Sequence, residues 1–66
     1  MNKLNKLFNL INYYNRFAKA ILISEDENYF FYKINDGYVS EVRKIDLESM
    51  DTNDLMNEAK YIIRTY

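Results

Sequence analysis

The stretch NYFFYKINDGYVSEVRKI, residues 28 to 45, constrains the fold of this chain more than any other feature. Two runs rich in aromatic and β-branched residues flank Asn35, Asp36 and Gly37, the last being the only glycine. That pattern is the signature of two antiparallel strands closed by a tight turn. Asp36 and Gly37 suit the positive φ angles such a turn requires, with Gly37 expected in the left-handed position of a three-residue loop. A third run, AKAILIS, precedes them across the polar separator EDE. The expectation is a three-stranded antiparallel meander with the run NYFFYKI in the middle.

The segments on either side have a different period. Leu4, Leu7, Phe8, Ile11 and Tyr14 recur at spacings of three and four, with Asn5, Asn9, Asn12 and Arg16 on the opposite side. This is a helix with one buried stripe, and the simplest surface for it is the sheet. The final segment DTNDLMNEAKYIIRTY repeats the pattern through Leu55, Met56, Ala59, Ile62, Ile63 and Tyr66. Asp51 or Thr52 is the candidate N-cap, and Asp54 and Arg64 suit the two ends of the helix dipole. The expected fold is therefore a single α+β domain over residues 1–66, ordered αβββα, with both helices on one face of the meander.

Strand periodicity assigns the rings to faces. With Glu25 to Asn28 as a four-residue loop, Ile23 faces Phe30, Ile21 faces Tyr32, Leu22 faces Phe31 and Ser24 faces Tyr29. Phe30, Tyr32, Ile34, Ile21, Ile23 and Val42 then form the core face. With Asn35 to Gly37 as the second loop, Ala20, Leu22, Tyr29, Phe31, Lys33, Val39, Glu41 and Arg43 form an outer face that no remaining segment covers.

Composition narrows the chemistry. A chain of 66 residues buries only about 60% of its unfolded surface. With neither cysteine nor histidine it lacks disulfides and the usual zinc ligands as staples. Association into a homo-oligomer is an expected supplement, by stacking of the outer face or by edge-to-edge pairing. At 48% hydrophobic and 17% aromatic the chain should nonetheless fold rather than remain disordered. No apolar run approaches the roughly 18 residues of a membrane span, and asparagines interrupt the start too often for a signal peptide. A cytoplasmic location without membrane contact is expected.

Without histidine or cysteine there is no ordinary base or nucleophilic thiol, and Ser24, Ser40 and Ser49 lie in no nucleophile motif. The chain reads as a non-enzyme. A calcium loop needs oxygen ligands at alternate positions, a glycine at its bend and a closing glutamate, and the acid-rich stretch DLESMDTND has no glycine and the wrong spacing. Neither a metal nor a cofactor is expected, and helix capping and solvation explain those acids more simply.

What remains is binding. The outer-face residues Tyr29, Phe31, Lys33, Glu41 and Arg43 combine rings with charge in the manner of an interaction surface. The acids Asp46, Glu48, Asp51, Asp54 and Glu58 offer a second one that would steer a charged partner. Both are candidate contacts for a larger protein; the alternative is that cross-strand packing of the rings serves stability alone. Nucleic acid is a further alternative. Lys3, Lys6, Arg16 and Lys19 make the first helix basic, and a self-associating domain could touch a phosphate backbone there. The sheet itself carries Lys33 and Arg43 against Glu41, with Glu25, Asp26 and Glu27 adjacent, which is the wrong field for stacking nucleotides.

The order helix, meander, helix, the very small size, the INDG turn and the Asn-rich amphipathic start together resemble phage-encoded anti-CRISPR proteins of low-GC bacteria. The resemblance spans most of the chain as topology and carries no diagnostic motif. It implies a non-enzymatic inhibitor, encoded by a phage or mobile element, that occupies the surface of a host defence nuclease or another host enzyme.

Overall fold

A computed structural model of the protein describes residues 2–65. Helix α1 (Lys3–Tyr14) leads into a meander of β1 (Ala20–Glu25), β2 (Tyr29–Ile34) and β3 (Ser40–Arg43), followed by a short α2 (Lys44–Glu48) and α3 (Thr52–Thr65). The sheet is antiparallel in the order β1-β2-β3. The α+β meander expected from sequence is thus present, with one helix more. Lys44 and Ile45 read as the end of the third strand, but the chain leaves the sheet at Arg43 and residues 44–48 form the added helix. Leu47 is then buried in the core, while Ile45 lies out in solvent.

Both long helices start where the sequence supplies a cap. The Asn2 side chain accepts from the Asn5 amide at 2.8 Å to open α1. At α3 the Asp51 carboxylate accepts from the Asp54 amide at 2.8 Å and Asp54 returns the contact at 3.3 Å, a reciprocal box that satisfies two otherwise orphaned donors. The Lys3 ammonium donates to the carbonyls of Glu48 and Met50 at 2.6 and 2.5 Å, tying the start of α1 to the end of α2. A cation there meets the negative end of the helix.

The core takes Leu4, Leu7 and Ile11 from α1, Ala18 from the connector, Tyr32 and Ile34 from β2, Leu47 from α2, and Leu55 and Ala59 from α3. Phe8, Tyr14, Phe30, Val42, Ile62 and Ile63 pack around it, half-buried. The Phe8 and Tyr32 rings meet at 5.5 Å, which docks α1 on the middle strand. Tyr66, expected on the α3 stripe, lies outside the described residues.

The β2–β3 register agrees with the sequence reading: Tyr29 pairs with Arg43, Phe30 with Val42 and Phe31 with Glu41. The β1–β2 register does not. Ala20 pairs with Ile34, Ile21 with Lys33 and Leu22 with Tyr32; a bulge at Ile23 then shifts the ladder so that Ser24 pairs with Phe31 and Glu25 with Phe30. Ala20 and Leu22 consequently belong to the core face and Ile21 to the outer face, the reverse of the expected assignment. Ile23 is the unpaired extra residue and stays exposed. The cause is the bulge: next to the loop Ser24 still pairs with an outer-face ring, as expected, and the extra residue at Ile23 reverses every pair beyond it. Asp26 turns the chain by accepting from the amides of Asn28 and Tyr29, both at 2.8 Å, and its own amide donates to the Tyr29 carbonyl. The amides of Asn28 and then Tyr29 hold the Asp26 carboxyl below its ordinary value.

The second turn also departs from expectation. Asn35, not Gly37, holds the left-handed conformation, at φ 53°, and no glycine has positive φ. Asparagine tolerates this region, and here its side chain fixes the turn to the α1–β1 connector. The amide nitrogen donates to the Phe17 carbonyl at 3.0 Å and the oxygen accepts from the Lys19 amide at 3.1 Å. Among the described residues no helix is long and apolar enough to cross a membrane.

Candidate functional site

Every sheet residue in the core or packed on it (Ala20, Phe30, Tyr32, Ile34, Val42) comes from one face. The other face carries Tyr29, Phe31 and Lys33 on the middle strand, flanked by Glu41 and Arg43 on β3 and by Ile21 and Ser24 on β1. The structure therefore brings together all five residues expected there, and adds Ile21. Tyr29 and Phe31 lie side by side with ring centroids 6.1 Å apart. Being on the middle strand they are half-buried by their neighbours alone, whereas Ile21, Glu41 and Arg43 are exposed. Val39 precedes β3 and is exposed.

Each ring has a charged cross-strand neighbour. Arg43 is directly across from Tyr29, Glu41 from Phe31, and Lys33 from Ile21. The surface thus mixes rings with charges of both signs, the composition of a protein–protein contact rather than of a phosphate-binding groove.

The two edges of the sheet are poor templates for a further strand. β1 is interrupted by the bulge at Ile23, and β3 is only four residues long before α2 begins. Bulges and short edges blunt edge-to-edge pairing, so the open face, rather than an edge, is the surface available for association.

The five acids do not form one surface. Asp51 and Asp54 are occupied in the α3 cap. Asp46 and Glu48 project from α2 into solvent, and Glu58 lies two turns along α3 in a groove with Tyr32. Among the described residues no group of three or more acids is placed to hold a metal ion. The basic face of α1 is also reduced, because Lys3 is engaged by main-chain carbonyls.

A separate concavity of about 540 Å³ lies between α3 and the β2–β3 hairpin, with Tyr32, Tyr38, Tyr61 and Glu58 in its lining. Sequence reasoning did not anticipate it, since its residues come from a strand, a turn and a helix, with no shared spacing.

Comparison with protein-family models, with curated proteins and with solved structures finds no match.

Proposed function

We propose that this chain is a non-catalytic binding module that acts by occupying the surface of a larger protein through the outer face of its sheet. The observation that carries this reading is the adjacent Tyr29 and Phe31 pair on a face that no described helix covers. Ile21 extends the apolar surface, and Lys33, Glu41 and Arg43 supply the charges. Rings that are already held in place by cross-strand neighbours lose little conformational freedom on docking, which favours them as anchors. Asp46 and Glu48 act as secondary, steering contacts, because a net charge of −1 gives little long-range attraction.

The resemblance to anti-CRISPR inhibitors supplies the first target class, a host defence nuclease. Two experiments separate target from surface. Titrating the chain into a DNA-cleavage reaction of a CRISPR effector nuclease should abolish cleavage near equimolar ratio, and unimpaired cleavage would refute that class. Independently, a photocrosslinking residue in place of Phe31 should join the chain to a larger protein of its source, while one in place of Asn9 on the exposed side of α1 should not. Equal crosslinking from both positions would refute the surface.

A further inference from the structure

We infer that the groove between α3 and the β2–β3 hairpin receives the guanidinium group of an arginine side chain from a partner protein. The groove lies on the opposite side of the sheet from Tyr29 and Phe31, so this is a second contact, independent of the outer face. Its wall on the sheet side is Tyr32 and Ile34, and Tyr61 and Glu58 face them from α3. Tyr38, in the β2–β3 turn, lies at one end.

Three features select the occupant. The first is charge: on this side of the sheet the lining holds the Glu58 carboxylate and no lysine or arginine. The lysine of α3 beside Tyr61 does not compensate, since the Lys60 ammonium sits over the Tyr14 ring of α1 at 5.4 Å. The second is the rings. Tyr38 is 97% exposed and Tyr61 60% exposed, so two of the three rings at the groove present open faces to solvent. A cation over such a face is attracted by the ring quadrupole, and a flat guanidinium stacks on it more favourably than a compact ammonium. The third is space: about 540 Å³ falls within the range of roughly 300–1,000 Å³ typical of ligand sites. Glu58 and Tyr61 are three residues apart on α3 and so neighbours on its surface, and a planar group stacked on Tyr61 can still present two N–H donors to the Glu58 carboxylate, the bidentate geometry that lysine cannot supply. Burial, and after it the Glu58 charge, raise the Tyr32 hydroxyl above its ordinary value, in keeping with a carboxylate near the sheet-side wall.

The test is backbone amide NMR of the full chain titrated with three capped tripeptides, Gly-Arg-Gly, Gly-citrulline-Gly and Gly-Lys-Gly, at millimolar concentrations. The arginine peptide should shift Gly37, Tyr38, Tyr61 and Thr65 along a saturating curve. Citrulline keeps the shape without the charge and should bind at least tenfold more weakly, and lysine several-fold more weakly. Glu58→Gln and Tyr61→Ala, both in a chain whose remaining spectrum shows it folded, should each weaken the arginine peptide about tenfold. Phe31→Ala should leave it unchanged, so that failure here is distinguishable from failure of the outer-face reading. Equal binding of the citrulline or lysine peptide, shifts scattered away from the groove, or no saturable shift would each overturn the inference.

Discussion

Neighbouring residues on β2 should respond unequally to truncation. Tyr32 is 4% exposed and packs on Phe8 at 5.5 Å, whereas Phe31 is half-buried on the face without a helix. A buried aromatic ring removes about 150–250 Å² from water, which at about 25 cal/mol per Å² is roughly 4–6 kcal/mol. Residual compactness of the unfolded chain lowers that by about 10–40%, leaving roughly 3–5 kcal/mol for Tyr32→Ala, the range seen when large core residues are truncated. At about 0.05–0.15 kcal/mol per residue, a chain of 66 residues has only about 3–10 kcal/mol in all. Tyr32→Ala should therefore be largely unfolded at room temperature or melt far below the parent. Phe31→Ala loses cross-strand packing worth about 0.2–1 kcal/mol per pair and a part of its ring burial, about 1–2 kcal/mol together. Urea unfolding followed by circular dichroism measures both. Equal destabilisation, or a larger loss for Phe31→Ala, would refute the assignment of the two faces.

Three further expectations follow from named contacts. Asn35→Ala keeps a β-carbon at positive φ but deletes the side-chain amide that favours this conformation and bonds Phe17 and Lys19, so it should cost about 2–3 kcal/mol in urea unfolding, with Asn35→Gly recovering part of that. The raised Tyr32 hydroxyl means that the folded state holds this proton more tightly than the unfolded chain; stability is complete below the unfolded value of about 10 and falls as pH rises through the folded value. Melts at about pH 8 and about pH 11 should show a smaller alkaline loss in Tyr32→Phe than in the parent. Light scattering at micromolar concentration and above should report an oligomer that Phe31→Ala converts to monomer, because the blunted edges leave the outer face as the surface to bury; a parent that is strictly monomeric would refute the need for self-association.

Much of the fold is legible in local spacing. The α1 and α3 stripes and the β2–β3 register can be read directly, because alternation in YFFYKI and the INDG turn admit one pairing. The β1 register is not legible: Ile21, Leu22 and Ile23 are consecutive apolar residues, so either face would serve, and the bulge at Ile23 decides between them. In the INDG turn, Gly37 is the residue type that fits a left-handed position most readily, yet Asn35 takes it because its side chain gains two long-range partners there. The outer-face site was legible as far as it lies on β2 and β3. Ile21 was misplaced with its strand, and the acids were grouped by sequence although folding sends Asp51 and Asp54 to a cap and Glu58 to a groove. Charge tests of steering accordingly belong at Asp46 and Glu48, where reversal leaves the α3 cap intact.

The central claim, that the outer sheet face is the working surface, is tested most directly by quantitative capture from a lysate of the source. Wild type, Phe31→Ala and Asn9→Ala, each first shown to be folded, are immobilised at equal density. The account predicts a larger protein retained equally by wild type and Asn9→Ala and reduced at least tenfold by Phe31→Ala, with the loss in off-rate and little dependence on salt. Retention of that protein by Phe31→Ala at the wild-type level would contradict it.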